Sequence, residues 1–110
     1  MKYMIKNGDN VIGITELELG DPPMGFVFGI LEPTHFYTPD VDITGCRVYI
    51  NETNEEVASK FITIEDHSEE FGEPCIEITI LVRSAEVYEK FFKNHLEAYE
   101  KQFSQAVINK

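Results

Sequence analysis

The residues best equipped for chemistry lie in "EDHSEE", Glu65 to Glu70, where His67 and four carboxylates fall within six positions. Carboxylates and imidazole can hold a divalent cation or move a proton. The linear spacing fits neither established pattern. A calcium loop needs oxygen ligands at alternating positions, a glycine at its sharp turn and a bidentate glutamate at its far end. Here Gly72 falls outside the run. A zinc site wants further His or Cys near His67, and His35 and His95 are remote in sequence. The sequence therefore assigns no metal and no cofactor.

Two other groupings could support catalysis. His35 stands beside Phe36 and Tyr37, with Asp40 and Asp42 close behind, so His35 and an aspartate could form an acid/base pair at the edge of a pocket. Cys46 or Cys75 could serve as a nucleophile only in an electropositive setting that lowers the thiol pKa, and this chain carries little positive charge. Two cysteines are too few for a disulfide scaffold, and each falls in or beside a strand-like segment, where a thiol acts as a small core residue. No local catalytic motif is present, and the expectation is a protein that is not an enzyme. The "GDPPMG" element, Gly20 to Gly25, resembles a phosphate-gripping loop only in its glycines. Pro22 and Pro23 remove two N–H donors and Asp21 repels an anion, so the element reads as a corner between strands.

Charge narrows the partners. The 110 residues carry 9 Lys and Arg against 20 Asp and Glu, a net charge of −11. Such a chain is repelled by nucleic acid and by an anionic membrane surface. The excess is local: Glu52, Glu55, Glu56, Glu65, Asp66, Glu69, Glu70 and Glu73 are opposed between positions 52 and 73 by Lys60 alone. This segment is either a solubilising surface or a surface that pairs with a basic protein, steering encounter and setting specificity. The N-terminus lacks an apolar signal core and no apolar run is long enough to cross a bilayer, so a cytoplasmic location is expected.

The elements that must position these residues follow from periodicity. Tyr3 to Ile5 and Val11 to Leu19 read as strands around a hairpin turn at Asn7-Gly8. Met24 to Leu31, Arg47 to Ile50 and Phe61 to Ile64 are further strands, and residues 33–40 are an irregular connection. Ile76, Ile78, Ile80 and Val82 alternate with Glu77, Thr79 and Leu81, the pattern of a half-buried strand. From Ala85 to Ile108 the period becomes helical, with Tyr88, Phe92, His95, Leu96, Tyr99, Phe103 and Ala106 on one face and Ser84 at the N-cap. The sequence thus predicts a single α+β domain over residues 1–110, a mostly antiparallel β-sheet covered by a long C-terminal α-helix whose apolar face could also pair with a second copy to make a homodimer.

Two stretches, "ELELGDPPMGFVFGILEPTHFY" and "YEKFFKNHLEAYEKQF", resemble small bacterial proteins of largely uncharacterised function. In size and acidity the chain is similar to immunity proteins of bacterial toxin systems. That resemblance implies a role, neutralising a basic toxin by covering it, and carries no functional residues with it. Together with the charge pattern it gives the expected function: an inhibitor or immunity-type binding protein whose acidic surface, Glu55, Glu56, Glu65, Asp66, Glu69, Glu70, Phe71 and Glu73, docks onto a basic protein partner. The alternative is a small enzyme or ligand-binding protein with a pocket near His35, Tyr37 and Asp40.

Overall fold

A computed structural model describes residues 1–73 and 75–108, with side chains as far as Lys101. Strands β1 (Tyr3–Asn7) and β2 (Asn10–Thr15) form the expected hairpin, with Gly8 in the left-handed region at its turn. β2 then breaks. Leu17 adopts a φ of +47°, which drives its side chain into the interior, and the chain resumes as β3 (Leu19–Asp21) along the same neighbour, β4 (Phe26–Pro33). A positive φ strains a branched residue, so the surroundings must over-determine it. They do: the Leu17 N–H donates to Thr15 Oγ1 at 3.2 Å, and its carbonyl accepts from His95 Nε2 at 2.8 Å. The corner between β3 and β4 is a 3-10 turn over Pro22–Met24, ended by Gly25 at φ +76° with its N–H bonded to the Pro22 carbonyl.

The remaining strands are β5 (Cys46–Ile50), β6 (Glu56–Val57), β7 (Ser59–Asp66) and β8 (Ile76–Val82). All pairings are antiparallel, in the order β6-β5-β1-β2-β4-β8-β7, with β3 beside β4. Because only Ala58 separates β6 from β7, one bent stretch of chain pairs with β5 at its start and with β8 along its length. The sheet therefore curls into a nearly closed barrel. Its interior is filled by alternate residues of every wall, among them Ile5, Ile12, Val27, Leu31, Val48, Val57, Ile62, Ile78 and Ile80. The wall left unzipped, between β5 and β7, is a cleft lined by Ile43, Cys46, Arg47, Lys60 and Phe61.

This corrects the expected α+β arrangement. The sheet is antiparallel as expected, but no long C-terminal helix covers it: the barrel's opposite wall buries the apolar face instead. The helical segment is divided at Phe92 into α2 (Ala85–Phe91) and α3 (Lys93–Ile108). Ser84 caps α2, its Oγ accepting from the Val87 N–H at 3.2 Å. Tyr88 of α2 and Phe92 just past its end seat against the barrel: Phe92 packs on Tyr3 in a tilted arrangement with centroids 5.4 Å apart, the Tyr88 hydroxyl donates to the Phe26 carbonyl, and the Tyr3 hydroxyl donates to the Phe91 carbonyl. A side chain at Gly20 would collide here, since its Cβ would lie 2.7 Å from the Tyr88 oxygen and 2.8 Å from His95 Cγ. Past Leu96, residues Glu97 to Lys101 are all exposed and Tyr99 is 42% accessible, so among the described residues the apolar stripe is used only in its first turns. The side chains of Phe103 and Ala106 lie outside the described residues.

Candidate functional site

The register of four neighbouring strands sets their outward side chains in three rows. Asp21, Phe26, Leu81 and Phe61 form one row across β3, β4, β8 and β7; Leu19, Phe28, Thr79 and Thr63 form the next; Ile30, Glu77 and Glu65 form the third. Their barrel-facing neighbours fill the core, so these residues have nowhere to point but outward. Leu19, Ile30 and Phe61 are 54, 46 and 45% exposed, while Phe26, Phe28 and Leu81 are half-buried by one another. Six large apolar side chains thus share one face. A shallow cleft of about 220 Å3 runs through it, between Leu19, Phe28 and Ile30, with Glu18 and Glu77 at its border. The Glu18 carboxylate accepts from the Ile30 N–H at 3.2 Å, supplying the partner lost where β2 breaks. The charged residues on the rows, Asp21, Glu65 and Glu77, are acidic, as is Glu18 beside them, and Lys60 and Arg83 lie next to Leu81 at one end.

The acidic residues singled out in the sequence separate into two groups. β7 alone spans on the order of 25 Å at about 3.3 Å per residue, so Glu55 and Glu56 lie at one end of it and Glu65 to Glu73 at the other. Glu55 and Glu56 are partly neutralised: Glu55 accepts from Lys90 Nζ at 2.8 Å and Glu56 from Arg47 at 3.2 Å. The second group is denser. Glu69, Glu70 and Phe71 form the single turn α1 (Ser68–Phe71), ended by left-handed Gly72, with Phe71 62% exposed and Glu73 exposed beyond it.

Asp66 anchors this loop. It accepts from the Ser68 N–H at 3.0 Å and from the Tyr37 hydroxyl at 3.2 Å; the Ser68 hydrogen bonds hold its carboxyl below the usual carboxylate range. Burial, and after it the Asp66 charge, pushes the Tyr37 phenol up. The His67 N–H donates to the Cys75 carbonyl at 2.8 Å, and the Cys75 N–H to Ser68 Oγ at 3.0 Å, closing the β7–β8 connection. His67 Nε2 lies 3.3 Å from Glu65 Oε2, and Nδ1 lies 3.9 Å from Glu70 Oε2. Glu77, which its place in the sequence marks only as an outward strand residue, is brought directly opposite Glu65. Ligand atoms of Glu65, His67 and Glu77 all fall within 4.8 Å of one another.

The residues considered for catalysis are dispersed. His35 is exposed and packs on Phe36 at 4.1 Å, Asp40 is exposed, and the Tyr37 hydroxyl is committed to Asp66. Cys46 and Cys75 are free thiols; Cys46 is buried, and that burial, with Asp42 nearby, pushes its thiol up, away from the reactive thiolate. His95 is tied to the Leu17 carbonyl, which can only accept, so its Nε2 carries the hydrogen and the ring serves the fold. Among the described residues no helix is long and apolar enough to cross a membrane. Neither a family model, nor a curated protein, nor a solved structure matches the chain.

Proposed function

We propose that the protein is a binding module, an inhibitor of the immunity type acting in the cytoplasm, that docks the outward face of β3, β4, β8 and β7 onto a basic protein surface. The observation that carries this reading is the pairing of an exposed apolar centre, Leu19, Phe26, Phe28, Ile30, Phe61 and Leu81, with the carboxylates of Glu18, Asp21, Glu65 and Glu77, the cations Lys60 and Arg83 standing only at the end of the face beside Leu81. Stable protein interfaces have this anatomy: an apolar, aromatic-rich core gives affinity, and charges at the rim steer encounter and select the partner. Glu69, Glu70, Phe71 and Glu73 extend the face at the tip of the β7–β8 connection. Glu55 and Glu56, at the other end of β7 and paired with Lys90 and Arg47, contribute long-range field and little contact.

The test is affinity capture from lysate of the source organism at low salt, with elution by a salt step. One basic protein should elute stoichiometrically, be lost with Phe28→Ser combined with Phe61→Ser, and be retained with Glu55→Gln. Charge reversal at Glu69 and Glu70 should weaken capture more at low than at high ionic strength. Capture that survives the double Phe substitution would place the contact elsewhere and sink the reading.

A further inference from the structure

We infer that Glu65, His67 and Glu77 form a site for one zinc-class divalent ion on the outer face of the β7–β8 hairpin. Residues two apart on an extended chain point to the same side, and directly paired residues on the neighbouring strand point there too. Glu65 and His67 are two apart as β7 ends, and Glu77 is the cross-strand partner of Glu65. Three ligands on one patch of backbone is the arrangement a metal requires, and it arises here from register, so linear spacing around His67 could not reveal it.

The chemistry favours a transition metal over calcium. An imidazole nitrogen with two carboxylates suits zinc and its neighbours, whereas calcium takes six to eight oxygens. Ligand atoms within 4.8 Å of one another need to close to about 3.4 Å, the separation set by bonds near 2.1 Å in a tetrahedron. Glu65 and Glu77 are both exposed, so their side chains have room to turn toward a shared ion. His67 presents Nε2 toward Glu65 and Nδ1 toward Glu70. A metal-bound histidine commonly faces a carboxylate with its other nitrogen, which fixes the ring and raises its basicity; Glu70, 3.9 Å from Nδ1 and exposed, lies on that side and would need to close by a few tenths of an ångström to do so. The His67 N–H bond to the Cys75 carbonyl and the Cys75 N–H bond to Ser68 Oγ hold the ring's base in place before any ion arrives. Three protein ligands leave coordination positions open to water or to a group from a docked partner. The inference does not depend on the proposed docking, since it concerns the ion alone.

The experiment is a titration of the intact chain with zinc chloride, followed by calorimetry and by backbone amide spectra. One ion per chain should bind, with shifts centred on Glu65, His67 and Glu77. Glu77→Gln and His67→Ala should each weaken binding at least 10-fold, and Glu70→Gln by roughly 10-fold. Glu69→Gln, which removes the same charge one residue from Glu70, should leave affinity unchanged. Equal loss with Glu69→Gln, equal binding of calcium chloride, or amide shifts scattered over the acidic surface would overturn the site. So would the absence of uptake by the unaltered chain.

Discussion

Glu65 and Glu77 face each other directly across the β7–β8 ladder, two carboxylates in register on an exposed face. Like charges in that position destabilise a sheet. In metal-free, low-salt buffer, Glu77→Gln is therefore expected to stabilise the fold by roughly 0.2–1 kcal/mol, read as a higher urea midpoint. The gain should shrink as salt is added. A lower midpoint would mean that the pair is already compensated by the His67 ring.

The divided helix makes a sharp contrast between neighbouring aromatics. Phe92 is 1% exposed against Tyr3 and Tyr88, so Phe92→Ala should cost about 3–5 kcal/mol. Tyr99, 42% exposed on α3, should tolerate Ala within about 0.5 kcal/mol. Chemical denaturation of both variants checks this. Comparable losses would show that α3 packs on the barrel as far as Tyr99.

His95 should behave as a structural clasp. Replacing it with Ala leaves the carbonyl of strained Leu17 without its side-chain donor and removes the ring packed beside Phe92. A cost of about 1–3 kcal/mol is expected. Gln, which can also donate, should recover part of it. If Ala and Gln are equally damaging, packing and not the hydrogen bond accounts for the loss.

Alkaline stability should report on Tyr88. Burial, aided by the charge of Asp21, pushes its phenol up from 10 to about 12. Between those values the unfolded chain has released this proton and the folded chain still holds it, so stability is complete below pH 10 and falls as pH rises toward 12. Tyr3 and Tyr37 are shifted in the same direction and add to the trend. Urea midpoints measured at pH 9 and pH 11.5 should therefore differ less for Tyr88→Phe than for the unaltered chain, although Phe forfeits the bond to the Phe26 carbonyl.

Local signals in the sequence were legible where local physics decides the outcome. Asn7-Gly8 makes its hairpin, Gly20 to Gly25 makes its corner, Ser84 caps its helix, and the alternation of Ile76 to Val82 marks a strand with one buried face. What covers that face was not legible. A strand alternates identically whether a helix or the far wall of a barrel lies over it, and the choice depends on curvature generated by the break at Leu17 and the bend at Ala58. The helical period after Ala85 likewise records which residues could be buried, and Tyr99 shows that a period need not be used. At the candidate site the limit was register. Glu65, His67, Glu69 and Glu70 are adjacent in the sequence, but the Glu65–Glu77 pair and the apolar rows from Leu19 to Phe61 exist only once four strands are aligned.

The β5–β6 ladder that latches the ring has two residue pairs, Val48 with Val57 and Tyr49 with Glu56, beside the Arg47–Glu56 ion pair and the Ile50 N–H bond to the Glu55 carbonyl, whereas β7 and β8 are paired over seven. Native-state fluctuation therefore has a preferred first move: the latch lets go, Glu56 and Val57 swing from β5, and the interior is briefly open to water along one seam. The amides at this latch are the ones that should trade their hydrogens for deuterium first, ahead of those of Ile78 and Ile80 in the middle of the sheet. In that open form the unpaired edge of β5 becomes a template for another strand, so the two pairs that close the barrel also guard the protein against self-association.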